Sequence, residues 1–302
     1  MVSQSKEFAT ATTRTFRGRD GLALVGDLWG PEDGPLVVML HGGGQTRHSW
    51  KSAGALLAGS GVRVVTLDAR GHGDSAWAPD GDYTGDAMVA DLLAVLEQLG
   101  APATVVGASM GGLTALRATI TAGPDIINGI VLVDVVPRAE NAGVERIMTF
   151  LGGHRDGFAS LDEAADAVAE YLPHRRRPRS SKGLERNLRK RDDGRWYWHW
   201  DPAMLGDSGV VESEVSEADL GVDLLEEAAR HLEIPTMLLR GRLSDVVSEE
   251  GVQHFLALVP HAEFVELAGA AHTAAGDDND AFTDAVCDFV KAVTADEGAG
   301  RG

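Results

Sequence analysis

The chain has a single cysteine, Cys287, in 302 residues. That excludes an intramolecular disulfide framework and a multi-cysteine zinc site. Long apolar runs are missing as well. None approaches the roughly 20 residues needed to cross a bilayer. The opening stretch, MVSQSKEFATATTRTFRGRDG, has no apolar secretory segment and no cleavage pattern. A cytoplasmic location is the expectation. Positive charge is also scarce: 27 Lys and Arg stand against 46 Asp and Glu, for a net charge of −19. A surface of that sign repels phosphate backbones and anionic lipid, so neither nucleic acid nor membrane is an expected partner.

What is present fits a soluble globular chain. Hydrophobic residues make up 44% and charged residues 24%, which excludes intrinsic disorder and a fibrous fold. The length allows one large domain or two ordinary ones.

Short apolar runs alternate with helical stretches. Residues 13–19 and 22–30 read as a hairpin turning at Asp20-Gly21. Further strands are expected at Leu36–Leu40, Val62–Asp68, Ala103–Ala108, Gly129–Val136, Pro235–Arg240 and Ala262–Ala268. Continuous Val, Leu and Ile runs of this length suit strands covered on both faces, as in a parallel sheet. Helices are expected at Asp86–Leu99, Met110–Thr121, Ser248–Val259 and Asp280–Val293. The alternation argues for a doubly wound α/β sheet.

From residue 137 to 217 the rhythm breaks. No run there reads as a buried strand, while Leu161–Leu172 reads as a helix. Residues 1–136 and 218–302 then form the core, and 137–217 a mainly helical insertion folded over it as a cap. The tail from Ala295 to Gly302 is expected to fray.

The most informative motif is Gly107-Ala108-Ser109-Met110-Gly111, a G-x-S-x-G pattern between a strand and a helix. A serine on such a tight turn is lifted above the sheet edge, at a helix N-terminus whose free amides favour negative charge. Serine needs a base. Of ten histidines, His272 follows the last expected strand and opens on the same edge as Ser109. A carboxylate must hold that imidazole. Asp245, after the strand PTMLLR, is the first choice. Asp134 is the alternative, otherwise a polar partner for the first turn of the insertion. The oxyanion needs donors. The Met110 amide supplies one, and the loop His41-Gly42-Gly43-Gly44 the other, with Gly43 nominated and Gly42 or Gly44 next to it.

These pieces, with Asp68-x-Arg70-Gly71-His72-Gly73-x-Ser75 and Arg240-Gly-Arg-Leu-Ser-Asp245, resemble the α/β-hydrolase family over residues 36 to 290. The resemblance implies an eight-stranded, mostly parallel sheet with helices on both faces and a cap inserted after the sixth strand. It also implies the triad Ser109, Asp245 and His272, and no cofactor or metal. Relatives that use an aspartyl ester are excluded, because a serine stands at position 109. His41 and His72 are expected to brace loops by hydrogen bonds.

Two features of the insertion stand out. Residues 174–195 hold eight arginines and two lysines against Glu185, Asp192 and Asp193, a local net charge of +7. Intramolecular pairing with the acidic body is the plain expectation, and recruitment of an anionic substrate by Arg175, Arg176 and Arg177 the sharper one. Trp196, Trp198 and Trp200 share one face if extended. They suit an anchor between cap and core or the lining of an apolar pocket. Met110, Gln45 and Thr46 are expected to border that pocket, and Cys287 to be a packing residue.

The expected activity is hydrolysis of a small or medium carboxylic ester or lactone by a serine nucleophile. Hydrolysis of a C–C bond, cofactor-free perhydrolysis and ligand binding without turnover are the alternatives. The sequence admits a homodimer and leaves the oligomeric state open.

Overall fold

The computed structural model describes residues 10–100, 102–172, 180–205, 221–268 and 280–300. Strands β1 (Thr12–Arg17) and β2 (Ala23–Trp29) form the expected antiparallel hairpin. Then come β3 (Leu36–Leu40), α1 (Lys51–Gly59), β4 (Arg63–Leu67) and α2 (Gly85–Leu99). They are followed by β5 (Ala103–Ala108), α3 (Met110–Ala118) and β6 (Ile127–Val133). The insertion contains α4 (Asn141–Gly152), α5 (Leu161–Tyr171), β7 (Leu188–Lys190) and β8 (Trp196–Trp198). The chain returns through α6 (Val222–Arg230), β9 (Thr236–Gly241), α7 (Glu249–Leu258), β10 (Glu263–Leu267) and α8 (Asp280–Gly300).

Eight strands make one sheet in the order β1-β2-β4-β3-β5-β6-β9-β10. Every pair from β4 to β10 is parallel, and β1 and β2 close one edge antiparallel. Alternation along each strand sends side chains to opposite faces. In β3, Leu36, Val38 and Leu40 pack with α2, α3, α6 and α7, while Val37 and Met39 pack with α1 and α8. The sheet is therefore buried on both faces, which is why its central strands carry no polar face. The outer strand β10 is the exception, because it is an edge: only Leu267 of its five residues is buried.

One expectation needs correction. The insertion is not only helical, since β7 and β8 pair antiparallel, with Leu188 opposite Trp198. Phe158 and Trp196 exchange two backbone hydrogen bonds and add a further rung. Aromatic residues spaced two apart favour this pleated surface, yet three-residue strands are too short to show as a run. The last helix, α8, runs to Gly300.

Candidate active site

Because β3, β4, β5, β6, β9 and β10 are parallel, the loops after β3, β5, β6 and β9 emerge at one edge. The chain steps from β3 to β4 in one direction and from β5 to β6 in the other. Between β3 and β5 the loops part, and ligands of open α/β sheets bind at such a crevice. Ser109 stands there, directly after β5, with φ 46° and ψ −117°. A non-glycine residue held there stores roughly 1–3 kcal/mol of strain.

The neighbouring glycines make this turn feasible. A Cβ on Gly111 would lie 2.5 Å from the Leu40 carbonyl oxygen, and one on Gly107 would strike the Gly111 carbonyl. The Ser109 amide donates to the Val133 carbonyl at 3.2 Å, and its carbonyl accepts from the Leu113 amide at 2.9 Å. The Met110 amide is the first of α3, so no carbonyl of that helix lies four residues back to receive it.

The loop after β3 faces this turn. A Cβ on Gly42 would sit 3.4 Å from Ser109 Cβ. The Gly42 amide donates to Gln45 Oε1 at 3.3 Å, and the Gly44 amide to His72 Nε2 at 3.1 Å. Among the described residues the Gly43 amide has no acceptor. Of the three glycine amides considered, Gly43 is the one left to face a ligand.

Three buried histidines brace this loop and the one after β4. His41 Nε2 accepts from the Ala69 amide at 3.0 Å, while its Nδ1 donates to the Gly42 carbonyl at 2.8 Å. His72 Nδ1 donates to the Arg70 carbonyl at 3.0 Å. His199, from the insertion, accepts the Gly73 amide on Nδ1 at 2.7 Å. Ring centroids lie 4.9 Å apart for His41 and His72, and 5.8 Å for His72 and His199. Burial pushes His41 down to about 4 and His72 to about 3, and it holds His199 well below the usual imidazole value. All three are neutral at pH 7, as an accepting ring nitrogen requires. The bracing expected of His41 and His72 is what these bonds provide. His199 was not foreseen as a brace. Its place in an aromatic run is visible in sequence, but its partner lies 126 residues away.

The rest of the Asp68–Ser75 motif is structural as well. Arg70 makes a bidentate pair with Asp91 at 2.7 and 2.9 Å. Ser75 Oγ donates to the Asp68 carbonyl at 2.7 Å. Asp68 accepts from both the backbone and the guanidinium of Arg47, fixing the far end of the β3 loop.

The two candidate carboxylates behave differently. Asp245, in the loop after β9, pairs with Arg146 of α4 at 2.5 Å between Oδ2 and Nη2. Asp134, at φ 52° directly after β6, is buried. It accepts from the Gly241 amide at 3.0 Å and from Ser244 Oγ at 2.6 Å. Asp134 thus ties down the loop that carries Asp245. Arg146 gave no signal in the sequence, since its partner is 99 positions away. His272 lies outside the described residues, as do Arg175, Arg176 and Arg177.

Above Ser109 is a cavity of about 750 Å³. Its floor includes Ser109, Met110 and Gly43, and its roof comes from α4, α5 and the insertion's aromatic residues. Met110, Gln45 and Thr46 border it as expected, and Trp198 and Trp200 line it. The same two tryptophans, stacked at 4.8 Å, belong to the apolar core of the insertion. They serve as packing and as wall. Among the described residues, no group of three or more His, Cys, Asp or Glu is arranged to hold a metal ion.

Residues 35–278 match the family model of the alpha/beta hydrolase fold. The chain is an α/β hydrolase. This hydrolase is 33% identical to the esterase Rv0045c of Mycobacterium tuberculosis over 230 residues, covering 74% of this chain and 70% of the relative. It is 30% identical to the mouse sn-1-specific diacylglycerol lipase ABHD11 over 274 residues, covering 85% and 81%. A crystal structure of an α/β hydrolase from Novosphingobium aromaticivorans superposes with a TM-score of 0.77 at 25% identity, over 94% of this chain and 99% of that one. A structure of the Mycobacterium tuberculosis esterase gives 0.73 at 27% identity, over 95% and 93%. Among the described residues no helix is long and apolar enough to cross a membrane.

Proposed function

We propose that this hydrolase cleaves a small or medium carboxylic ester, lactones included, through an acyl-enzyme on Ser109. The observation that carries the reading is one juxtaposition. A serine held at φ 46° heads a helix, beside a glycine amide with no acceptor among the described residues, on the floor of a largely apolar cavity. The relatives named esterase and lipase support the ester bond as the target.

In this reading Ser109 Oγ attacks the acyl carbon, and His272 takes its proton. Charge builds on the former carbonyl oxygen, where the Gly43 and Met110 amides stabilise it. Such donors count for more in a site that excludes water. His272 returns the proton to the leaving alcohol and then activates water to release the acid. Asp245 orients the imidazole and stabilises its cation, while Arg146 pairs with the same carboxylate. Residues 137–217 act as the cap, which limits substrate size by roofing the cavity.

The test is labelling with a fluorophosphonate probe, followed by peptide mapping. One adduct on Ser109 is expected, absent in Ser109→Ala, together with a fall in kcat of at least about 1,000-fold. Asp245→Asn is expected to lower kcat by about 10,000-fold with folding intact. Asp134→Asn should mainly lower thermal stability, because it unties the β9 loop. If Asp134→Asn abolished turnover in folded protein and Asp245→Asn did not, the acid would be reassigned. No adduct on folded wild type would overturn the serine mechanism.

A further inference from the structure

The cavity differs in charge from the molecule that encloses it. The chain carries 46 acidic residues, yet none of the described lining residues is Asp or Glu. Three lining residues are basic: His48, Arg117 and Arg186. Arg117 is neutralised by Asp86 at 2.7 Å. Arg186 has no carboxylate within ion-pair distance among the described residues.

The walls are also unequal on the two sides of Ser109. On the β6 side they are apolar, with Val135, Val136 and Ala139 followed by Ile147 and Met148 of α4. On the β3 side they are polar, with Gln45, Thr46, His48, Ser49 and Ser52. Arg186 belongs to the polar side. It ends the short turn Ser181–Arg186, three residues before Arg189. Arg189 bonds the Gly73 carbonyl at 3.0 Å and Asp74 at 3.1 Å, in the loop after β4. Burial holds the His48 imidazole below its usual value, with Arg47 next in effect; Asp68 and Asp27, the latter 3.8 Å away, oppose the shift, and Arg186 adds to it. His48 therefore offers neutral hydrogen bonding, and Arg186 supplies the charge.

Resting on the ester-hydrolase reading above, we propose that the substrate is an anionic amphiphile. Its apolar part lies on the β6 side of Ser109. A carboxylate or phosphate on the remaining part meets Arg186, with His48 and Ser52 on the same wall. A planar guanidinium suits either anion through paired N–H donors. The overall charge of −19 repels such a ligand at long range, so selectivity for it has to arise locally.

The test uses Ser109→Ala protein, titrated with octyl phosphate and with octanol while the fluorescence of Trp198 and Trp200 is followed. Octyl phosphate is expected to bind at least about tenfold more tightly than octanol. The gap should narrow with added salt, close when Arg186→Gln is added, and return in part with Arg186→Lys. Arg186 is exposed, so these variants should keep the parent's melting temperature. Equal binding of the two ligands, or a gap that survives Arg186→Gln, overturns the inference. Fluorophosphonate labelling of wild type separates the two claims. A Ser109 adduct with equal binding leaves the hydrolase and removes the anion subsite. Selective binding without an adduct keeps the subsite and removes the serine mechanism.

Discussion

The sheet core and the insertion are held together in different ways. The core is sealed on both faces by large apolar clusters, and its turns are set by backbone contact too close for any side chain. The insertion has a small apolar centre in which Phe158, Ala164, Leu188, Trp198 and Trp200 are buried. Part of its seating on the core is polar. His199 accepts from the Gly73 amide, Arg189 reaches Asp74, and Asp201 accepts from Tyr83 at 2.5 Å. The contrast teaches that the backbone geometry at Ser109 depends on the part with the larger core, while cavity shape also depends on the part with the smaller one.

The strongest way to break the core side is Gly111→Val. The added side chain meets the Leu40 backbone, which cannot move without shifting a central strand. A loss of at least about 4 kcal/mol is expected, read as a lower denaturant midpoint or as failure to accumulate. A midpoint within about 1 kcal/mol of wild type would show that the elbow yields.

Acid should act on the core loops after β3 and β4, where His41 and His72 are buried. His41 and His72 have folded pKa values of about 4 and about 3, against an ordinary 6.5. The unfolded chain therefore binds protons that the folded chain refuses. Stability from these groups is complete above about pH 7 and falls as pH drops through 6.5 towards 4. Linkage gives a loss of about 2 kcal/mol for each at pH 5. Denaturant melts at pH 7 and pH 5 check this, and a His72→Gln variant should flatten the dependence. An unchanged midpoint in wild type would mean that these rings are not held neutral.

The smallest global effect is expected from Phe158→Ala in the insertion. Its ring packs edge-on to Trp198 at 5.1 Å. Truncating a buried phenylalanine costs about 3–5 kcal/mol where it is felt. If the insertion is a separate unit of stability, the main unfolding transition should move by less than about 1 kcal/mol. Proteolysis between residues 141 and 205 should then quicken, and KM should rise. A full shift of the main transition would make core and insertion one cooperative unit.

The alternation of Val-rich runs with amphipathic stretches was enough to place the parallel strands and most helices within a few residues. Local chemistry drives both signals: continuous apolar runs on a sheet covered on both faces, and a 3.6-residue period on the helices. The turn at Ser109 was legible because its G-x-S-x-G spacing lies within five consecutive residues, although the close approach of Gly111 to Leu40 was not. The short hairpin at Leu188–Lys190 and Trp196–Trp198 was not legible, since three residues carry too little period to separate strand from loop. The His199 bond to Gly73, the Arg146 pair with Asp245 and the position of Arg186 were also hidden. Each depends on segments far apart in the chain.

The sequence by itself determined the sheet, the serine at its centre and the acidic charge of the surface, because these follow from local spacing and composition. Tertiary structure alone decided which glycine amide has no acceptor among the described residues, which carboxylate meets Arg146 and which wall of the cavity is polar. Those outcomes belong to side chains brought together across many residues by packing, and no local pattern encodes a partner at that distance.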